Sequence, residues 1–208
     1  MSDHEEPEEI KVILIGDSGV GKTNLINTSV GLEFEEDKQS TISGSCLEKI
    51  IQINKKKYSI NLWDTAGQEA YRGVTKLFFN GSQIVILVYD ITRHESFESL
   101  EDWLKMCKEI INEEDCVYGI VGNKNDLYLN SQVKEEEIQK FANSFNSSFK
   151  LVSAKTDPER FTDYLIELVK IYKKLNKGEL KNTVKLKNEN NNENIEKKNC
   201  FGCLNKIK

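Results

Sequence analysis

Short apolar runs rich in β-branched residues alternate along the chain with longer segments of mixed polarity. Apolar runs bounded by polar turn residues predict strands, and the mixed segments predict helices. The predicted strands cover 10–15, 47–53, 58–63, 83–89, 117–122 and 149–153. One predicted helix starts near residue 24, and the others cover 70–80, 96–111, 134–145 and 159–175. This alternation is typical of βαβ units, in which helices cover both faces of a mostly parallel sheet.

The second and third predicted strands are joined only by residues 54–57. Parallel neighbours need a crossover of about a dozen residues, so this pair is predicted to be an antiparallel hairpin at a sheet edge. The predicted fold class is therefore α/β, with a mostly parallel six-stranded sheet, one antiparallel edge strand and about five helices. In such sheets ligands bind beyond the carboxyl ends of the strands, so the loops after strands one, three, five and six are expected to converge.

The loop after the first strand, residues 16–23, follows the G-x4-G-K-[S/T] pattern between a strand and a helix, which is typical of a P-loop. Glycines let successive N–H groups point inward, and the helix N-terminus favours the same anion. Lys22 is predicted to reach the outer phosphates, and the Thr23 hydroxyl to bind Mg²⁺. A plain glycine-rich turn would require neither residue. The predicted phosphate-binding residues are Asp17, Ser18, Gly19, Val20, Gly21, Lys22 and Thr23.

The loop after the third strand supplies residues that suit a magnesium nucleotide. Asp64 is predicted to hold the water shell of the metal, because Mg²⁺ prefers carboxylate oxygens and dehydrates reluctantly. The N–H of Gly67 is predicted to approach the terminal phosphate, and Gln68 to orient a water for in-line attack. A simple turn built from Asp-Thr and Ala-Gly is the alternative interpretation.

The loop after the fifth strand is predicted to select the base. The Asp126 carboxylate can accept hydrogen bonds from N1–H and the exocyclic amine of guanine, whereas adenine presents a lone pair there. Lys124 is expected to lie along the base plane, and Asn123 to brace the neighbouring loops. After the sixth strand, Ser153, Ala154 and Lys155 are expected to close the pocket, with the Ala154 N–H directed at the guanine carbonyl.

Composition is consistent with one domain between two polar ends. The chain has 208 residues, of which 38% are hydrophobic, enough for a sizeable core. The domain is predicted at 10–176, after an acidic extension, 1–9, expected to be disordered, and before an Asn/Lys-rich tail, 177–208, also expected to be disordered. No apolar run reaches the ~20 residues of a membrane span, and the acidic start differs from a secretory signal. A cytosolic location is therefore expected.

Charge and cysteine content argue against a nucleic-acid-binding protein and against a disulfide-rich one. The net charge is −5, while the tail from residue 173 is basic, so the body is strongly acidic and no nucleic-acid groove is expected. Five cysteines at irregular spacing in an intracellular setting argue against a disulfide framework and for reduced thiols.

The motifs at 16–23, 63–69, 123–126 and 153–155 resemble, in this order, those of Ras-like small GTPases, and among them the Rab proteins. The resemblance covers about residues 10–175 and implies the small G-protein version of the P-loop NTPase fold. It further implies that Thr41, eighteen residues after Thr23, binds Mg²⁺ and the γ-phosphate, and that Phe34 lies against guanine. Switch I would be 34–44 and switch II 65–80.

The same resemblance implies a slow GTPase that switches between GDP and GTP forms in vesicle traffic. Implied partners are an exchange factor, a GTPase-activating protein, effectors and a prenyl-binding escort protein. The protein would be a monomer on the cytosolic face of an intracellular membrane, cycling with the cytosol.

The effector surface departs from the Rab pattern. Trp63 and Phe78 stand at two of three positions of the apolar patch with which Rab proteins contact effectors, but residues 43–46 lack the aromatic residue of the third. Ordinary core packing is the alternative role for Trp63 and Phe78.

Two cysteines near the C-terminus, Cys200 and Cys203, are candidates for lipidation, because Rab proteins end in a variable linker and two prenylated cysteines. Five residues follow Cys203, and position 205 is Asn, so the four-residue prenylation box is absent. An unmodified tail is the alternative.

Two other functions remain open from the sequence. One is a GTP-binding module with negligible hydrolysis that acts as a scaffold or sink. The other is an adenine-nucleotide P-loop enzyme, which Asp126 disfavours.

Overall fold

The computed structural model describes residues 6–36, 44–65, 78–112 and 115–177. Six strands were found: β1 Glu8–Ile15, β2 Ser45–Ile53, β3 Lys56–Asp64, β4 Ile84–Asp90, β5 Val117–Asn123 and β6 Ser148–Leu151. The α-helices in the described ranges are α1 Lys22–Ser29, α2 His94–Glu98, α3 Leu100–Lys108, α4 Glu135–Ser144 and α5 Pro158–Asn176. A 3-10 helix covers Asn125–Asn130.

The six strands form one sheet in the order β2-β3-β1-β4-β5-β6. β2 and β3 are antiparallel, whereas the other neighbouring strands are parallel. The fold class predicted from the sequence is therefore confirmed. The order places the carboxyl ends of β3, β1, β4 and β5 side by side at one edge of the sheet.

The central strands are mostly apolar up to their last residues, Asp90 and Asn123, because helices cover both faces of the sheet. Every residue of β4 and β5 is buried. One large core cluster joins Val85 and Leu87 of β4 and Ile120 of β5 to Trp103 of α3. Continuous apolar strands of this kind are typical of parallel sheets, and they hold the loops at their carboxyl ends in fixed positions.

The hairpin between β2 and β3 is tighter than the predicted four-residue connection. Only Asn54 and Lys55 lie between the strands, and their φ angles are +49° and +69°. Positive φ at both central residues matches the twist of a two-residue β-hairpin. Asn favours such a turn, but Lys55 carries no such signal in the sequence.

Among the element boundaries that differ from the prediction, two involve more than a shift of one or two residues at the end of an element or carry a clear physical cause. β1 begins at Glu8, so Glu8 and Glu9 of the predicted acidic extension pair with β3 at Tyr58 and Ser59. Backbone hydrogen bonds account for the longer strand, since neither glutamate side chain needs to enter the core. The helix predicted at 96–111 is divided at Ser99, whose hydroxyl donates to the Glu95 carbonyl at 2.9 Å, a bond that commonly bends helices.

Within the described residues, the core and the site described below lie in one compact unit that ends at Tyr172. Within the described ranges, no helix combines the length and the apolar character needed to cross a bilayer. Cys46, Cys107 and Cys116 are free thiols. The helix predicted at 70–80 lies outside the described residues, except for 78–80.

Candidate nucleotide site

The P-loop, residues 16–23, runs from the end of β1 into α1 and depends on glycine for its shape. Gly16, Gly19 and Gly21 have φ angles of +141°, +76° and +94°. A Cβ on Gly16 would lie 2.1 Å from the Val88 carbonyl oxygen, and one on Gly21 would lie 2.4 Å from Nδ2 of Asn123. Side chains are therefore excluded at both ends of the loop by neighbouring strands β4 and β5.

Side chains from three parts of the chain hold the carbonyl groups of this loop. Lys22 Nζ donates to the carbonyls of residues 16 and 17 at 2.7 and 2.8 Å. Arg93 Nη2 donates to the Ser18 carbonyl, and Asn123 Nδ2 to the Val20 carbonyl, both at 2.9 Å. Because C=O and N–H point in opposite directions across a trans peptide, the N–H groups of residues 19 and 21 are turned away from Arg93 and Asn123.

The Lys22 ammonium is buried in the loop, with 5% of the residue exposed. Burial lowers its pKa to about 8, against the opposing attraction of Asp64 and Asp17, and Arg93 lowers the pKa further. The ammonium donates hydrogen bonds to neutral carbonyl oxygens. A buried cation gains most from a charged partner, so an anion at this position would be strongly favoured.

Oxygen ligands suitable for a hard cation lie beside Lys22. Thr23 Oγ1, in the first turn of α1, donates to Asp64 Oδ2 at the end of β3 over 2.7 Å. Asp64 is 1% exposed. Thr65 Oγ1 donates to the Leu14 carbonyl at 2.7 Å and ties the end of β3 to β1. A buried carboxylate next to a hydroxyl at a P-loop fits Mg²⁺, which binds oxygen ligands and keeps several waters.

Asn123, at the end of β5, connects the P-loop with the loop after β6. Its Nδ2 bonds to Val20, and its Oδ1 accepts the N–H of Ala154 at 3.1 Å. The side chain is buried, so both bonds are shielded from water. The Ala154 N–H, predicted to be directed at the guanine carbonyl, is thus bonded to Asn123 in this structure.

Asp126 is held in place by Ser153. Ser153 Oγ donates to Asp126 Oδ1 at 2.5 Å and accepts the N–H groups of Lys155 and Thr156 at 3.2 and 3.1 Å. Among the described residues, no bond is made to the other oxygen, Asp126 Oδ2. A carboxylate fixed through one oxygen in this way presents the second to a ligand in a defined direction.

Lys124, predicted to lie along the base plane, contacts the end of β4. Its φ is +67°, and its Nζ lies 2.7 Å from Oδ2 of Asp90, at the end of β4. Asp90 also accepts the N–H and hydroxyl of Thr92 on Oδ1 at 2.9 and 2.7 Å. Burial acts to raise the pKa of Asp90, but the bonds from Lys124 and Thr92 outweigh it and lower the pKa.

Phe34, predicted to lie against guanine, is placed beside the loop after β6. Lys155 Nζ is 5.8 Å from the centroid of the Phe34 ring and 3.0 Å from Oε1 of Glu36. Asn24 of α1 holds the intervening residue: its Nδ2 donates to the Glu35 carbonyl at 2.7 Å, and its Oδ1 accepts the Glu35 N–H at 3.3 Å. The segment that carries Phe34 is therefore fixed to both α1 and the predicted base pocket.

Comparison with known proteins identifies the family. The model of the Ras family matches residues 11–174. The chain belongs to the Ras family. Within it, the protein is a Rab-like small GTPase, because its relatives are Rab proteins. It is 38% identical to Ras-related protein RABA1h of Arabidopsis thaliana over 79% of this chain and 76% of the relative.

Two further relatives agree with this assignment. Ras-related protein Rab-2B of Dictyostelium discoideum is 40% identical over 70% of this chain and 72% of its own. Ras-related protein Rab11B of Nicotiana tabacum is 38% identical over 77% of this chain and 75% of its own. The resemblance found from the four sequence motifs is thus confirmed.

In this Rab-like protein, the two aromatic residues predicted to contact effectors form a pair. The rings of Trp63 and Phe78 are 5.6 Å apart, and both pack against the core while remaining partly exposed. Lys11 Nζ lies 4.8 Å from the Trp63 ring, and Cys46 is paired with Trp63 in the β2–β3 register. The arrangement thus includes core packing as well as an exposed surface.

Several predicted residues lie outside the described parts of the chain. These are Thr41, Gly67 and Gln68 of the predicted site, and the candidate lipidation residues Cys200 and Cys203.

Sequence reasoning missed four residues that support the site of this small GTPase. Trp103 Nε1 donates to Asp17 Oδ1 at 2.9 Å, and Asp90, Arg93 and Asn24 make the contacts given above. A signal existed for Asp90 alone, since it is a charged residue directly after the apolar run of β4 at the carboxyl edge of the sheet.

Proposed function

We propose that this Rab-like protein binds GDP and GTP with Mg²⁺, hydrolyses GTP slowly, and acts as a switch that recruits effectors in membrane traffic. The observation that carries the proposal is the convergence of three groups from the ends of β1, β3 and β5. These are the P-loop with buried Lys22, the Thr23–Asp64 pair, and Asp126 held by Ser153. They match in order the phosphate, metal and base of one guanine nucleotide.

At the phosphate end, Lys22 would neutralise the outer phosphates, and the N–H groups of the P-loop would bind their oxygens. The contacts of Lys22, Arg93 and Asn123 with the loop carbonyls support this role, because they fix the loop before a ligand arrives. Thr23 and Asp64 would hold Mg²⁺ directly or through water, with Thr41 joining them in the GTP state. When bound, Mg²⁺ neutralises charge that develops on the phosphates.

At the base end, Asp126 would accept N1–H and the exocyclic amine of guanine, with Ser153 maintaining its orientation. A site built to satisfy these donors rejects a base that lacks them, because its own buried polar groups are then left unpaired. Asn123 would brace this pocket against the P-loop. Lys155 and Phe34, which lie together, would flank the base.

For hydrolysis, Gln68 would orient a water for in-line attack on the γ-phosphorus, the bond to the β–γ bridging oxygen would break, and GDP would leave as phosphate forms. Contacts of Thr41 and Gly67 with the γ-phosphate would order switches I and II, and their loss after hydrolysis would release both. Effectors would read this difference at the surface that includes Trp63 and Phe78. An exchange factor would restart the cycle, and an activating protein would accelerate hydrolysis.

For membrane attachment, lipids on Cys200 and Cys203 would place the protein on the cytosolic face of an intracellular membrane. Two lipid chains are needed because one gives only reversible binding, and an escort protein would return the lipidated form to the cytosol. Intact mass of protein purified from its own cells tests this step. Bare thiols on both cysteines would contradict it.

The experiment that tests the central proposal is identification of the nucleotide that copurifies with the protein, followed by a single-turnover measurement of phosphate release. We expect guanine nucleotide, slow release of phosphate from bound GTP, and release at least about tenfold slower for Gln68→Leu. Gln139→Leu, on the exposed face of α4, is the matched control. Displacement of labelled GDP by ATP would contradict the proposal, and GTP binding without phosphate release would favour a non-hydrolysing module.

A further inference from the structure

Arg93, which lies outside the four nucleotide motifs, contacts the P-loop directly. It follows β4, in the segment before α2. Its Nη2 donates to the Ser18 carbonyl at 2.9 Å, and a Cβ built on Gly19 would lie 4.0 Å from the same nitrogen. The guanidinium therefore borders the loop at Ser18 and Gly19.

Asp90 holds this guanidinium from the opposite direction. Arg93 Nε lies 3.5 Å from Asp90 Oδ2, and Asp90 is 1% exposed. The planar guanidinium has five donors in a fixed arrangement, so one side chain can bond to two acceptors without losing its orientation. Lys124 Nζ reaches the same oxygen of Asp90 at 2.7 Å. One buried carboxylate thus organises a cation on the P-loop and another on the base loop.

We propose that Arg93 is a positioning residue for the nucleotide, which fixes the Ser18–Gly19 peptide of the P-loop and adds permanent positive charge beside the phosphates, so that nucleotide release is slow. This inference rests on the proposed function. The peptide geometry supports it, because holding the Ser18 carbonyl also fixes the direction of the Gly19 N–H. Lys22 Nζ donates to the Asp17 carbonyl and Arg93 Nη2 to the adjacent Ser18 carbonyl, so the two cations lie on neighbouring peptides and can act on the same anion.

The first test is the rate of GDP dissociation, measured with a fluorescent GDP analogue on the full chain. Arg93→Ala should release GDP roughly tenfold faster, given a charge-assisted bond on a side chain that is 42% exposed. Arg93→Lys keeps the charge but loses the fork, so its rate should fall between those of wild type and Arg93→Ala. Arg160→Ala, an exposed arginine in α5, should match wild type.

The second test separates positioning from general loosening of the fold. The ratio of GDP affinity to GMP affinity should fall roughly tenfold in Arg93→Ala, because GMP lacks the second phosphate that the loop would bind. A residue that merely stabilises the fold would weaken both ligands equally and leave the ratio unchanged. Arg93→Gln, which keeps a polar side chain but carries no charge and is too short to place its amide where Nη2 bonds the Ser18 carbonyl, replaces Arg93→Ala if the latter does not fold, and the same fall in the ratio is expected.

Failure of this inference differs from failure of the proposed function. If wild type binds GDP and Arg93→Ala behaves like Arg160→Ala in both tests, the assignment of Arg93 is overturned while the function stands. Equal losses of GDP and GMP affinity also overturn it. If wild type binds no guanine nucleotide, the proposed function fails first.

Discussion

The phosphate end and the base end of the candidate site use different parts of the chain. At the phosphate end of the proposed site, the side chains of Arg93 and Asn123 hold backbone carbonyls, and the groups that would face a ligand are backbone N–H groups together with the Lys22 ammonium. At the base end the groups that face a ligand belong to side chains, chiefly Asp126, which another side chain, Ser153, orients. Under the proposed function, the difference teaches that loop shape would determine whether phosphates bind, whereas side-chain chemistry would determine which base binds.

If this comparison is correct, adding a single methyl group to the P-loop backbone at the phosphate end should cause the largest loss of stability. Gly16→Ala combines a φ of +141° with a Cβ 2.1 Å from the Val88 carbonyl oxygen, a contact that requires β1 and β4 to move apart. We expect the free energy of unfolding without nucleotide to fall by about 4 kcal/mol, measured by urea denaturation.

Gly31→Ala is the matched control for strain without a clash. Its φ is +88°, but nothing lies within 4 Å of the added Cβ, so the expected loss is about 1 kcal/mol. Equal losses for the two variants would mean that the close approach of β4 to the P-loop is not what restricts residue 16.

At the base end, replacing one carboxylate oxygen of Asp126 with an amide nitrogen should alter the base selectivity while the fold is retained. In Asp126→Asn, the amide cannot accept both guanine donors, so GDP affinity should fall roughly 100-fold, about 3 kcal/mol for two charge-assisted bonds. Xanthosine diphosphate, which presents a carbonyl where guanine has an amine, should bind better than GDP. Calorimetric titration with both nucleotides measures the change.

Asp163→Asn, an exposed carboxylate on α5, controls for the lost charge and should leave the preference for GDP intact. Unchanged base preference in Asp126→Asn would remove Asp126 from the base site. An equal loss for both nucleotides would mean instead that Asp126 supports the loop through Ser153.

The sequence predicts those features of the structure whose signals lie in short, contiguous segments. The strands β4 and β5 are continuous apolar runs, and the four motifs are short and contiguous, so the fold class and the family were predicted correctly. Glu8 and Glu9 were missed in β1 because they pair through the backbone and carry no apolar signal. The division of the helix at Ser99 was missed because serine is compatible with both a helix interior and a bend.

Within the site, the missed contacts join residues that are distant in sequence. Arg93 reaches Ser18, and Trp103 reaches Asp17, only because the sheet places the end of β4 beside the P-loop and α3 packs over it. An arginine before a short helix follows no sequence pattern that predicts its contact. A buried tryptophan needs a hydrogen-bond partner for its N–H, but the sequence does not show which residue that partner is. The strand order supplies that information, and the sequence pattern does not contain it.

The smallest change in stability is expected for Tyr89, which lies beneath the base end, where β4 and β5 meet. Tyr89 is fully buried, and its hydroxyl has no hydrogen-bond partner among the described residues. A Cβ on Gly122, directly before Asn123, would lie 2.5 Å from this oxygen. Tyr89→Phe should therefore raise the free energy of unfolding by about 1 kcal/mol, because it removes an unsatisfied buried polar group and keeps the ring.

Tyr164→Phe is the matched comparison for Tyr89→Phe, because the Tyr164 hydroxyl is hydrogen-bonded. The Tyr164 hydroxyl donates to the Ser148 carbonyl at 2.7 Å and accepts the Ile120 N–H at 3.2 Å, so its removal should cost about 1 kcal/mol or more. Urea denaturation of both variants tests the opposite signs. A loss of stability in Tyr89→Phe would mean that its hydroxyl is bonded in solution, and the base end would then have an additional polar support below Asn123.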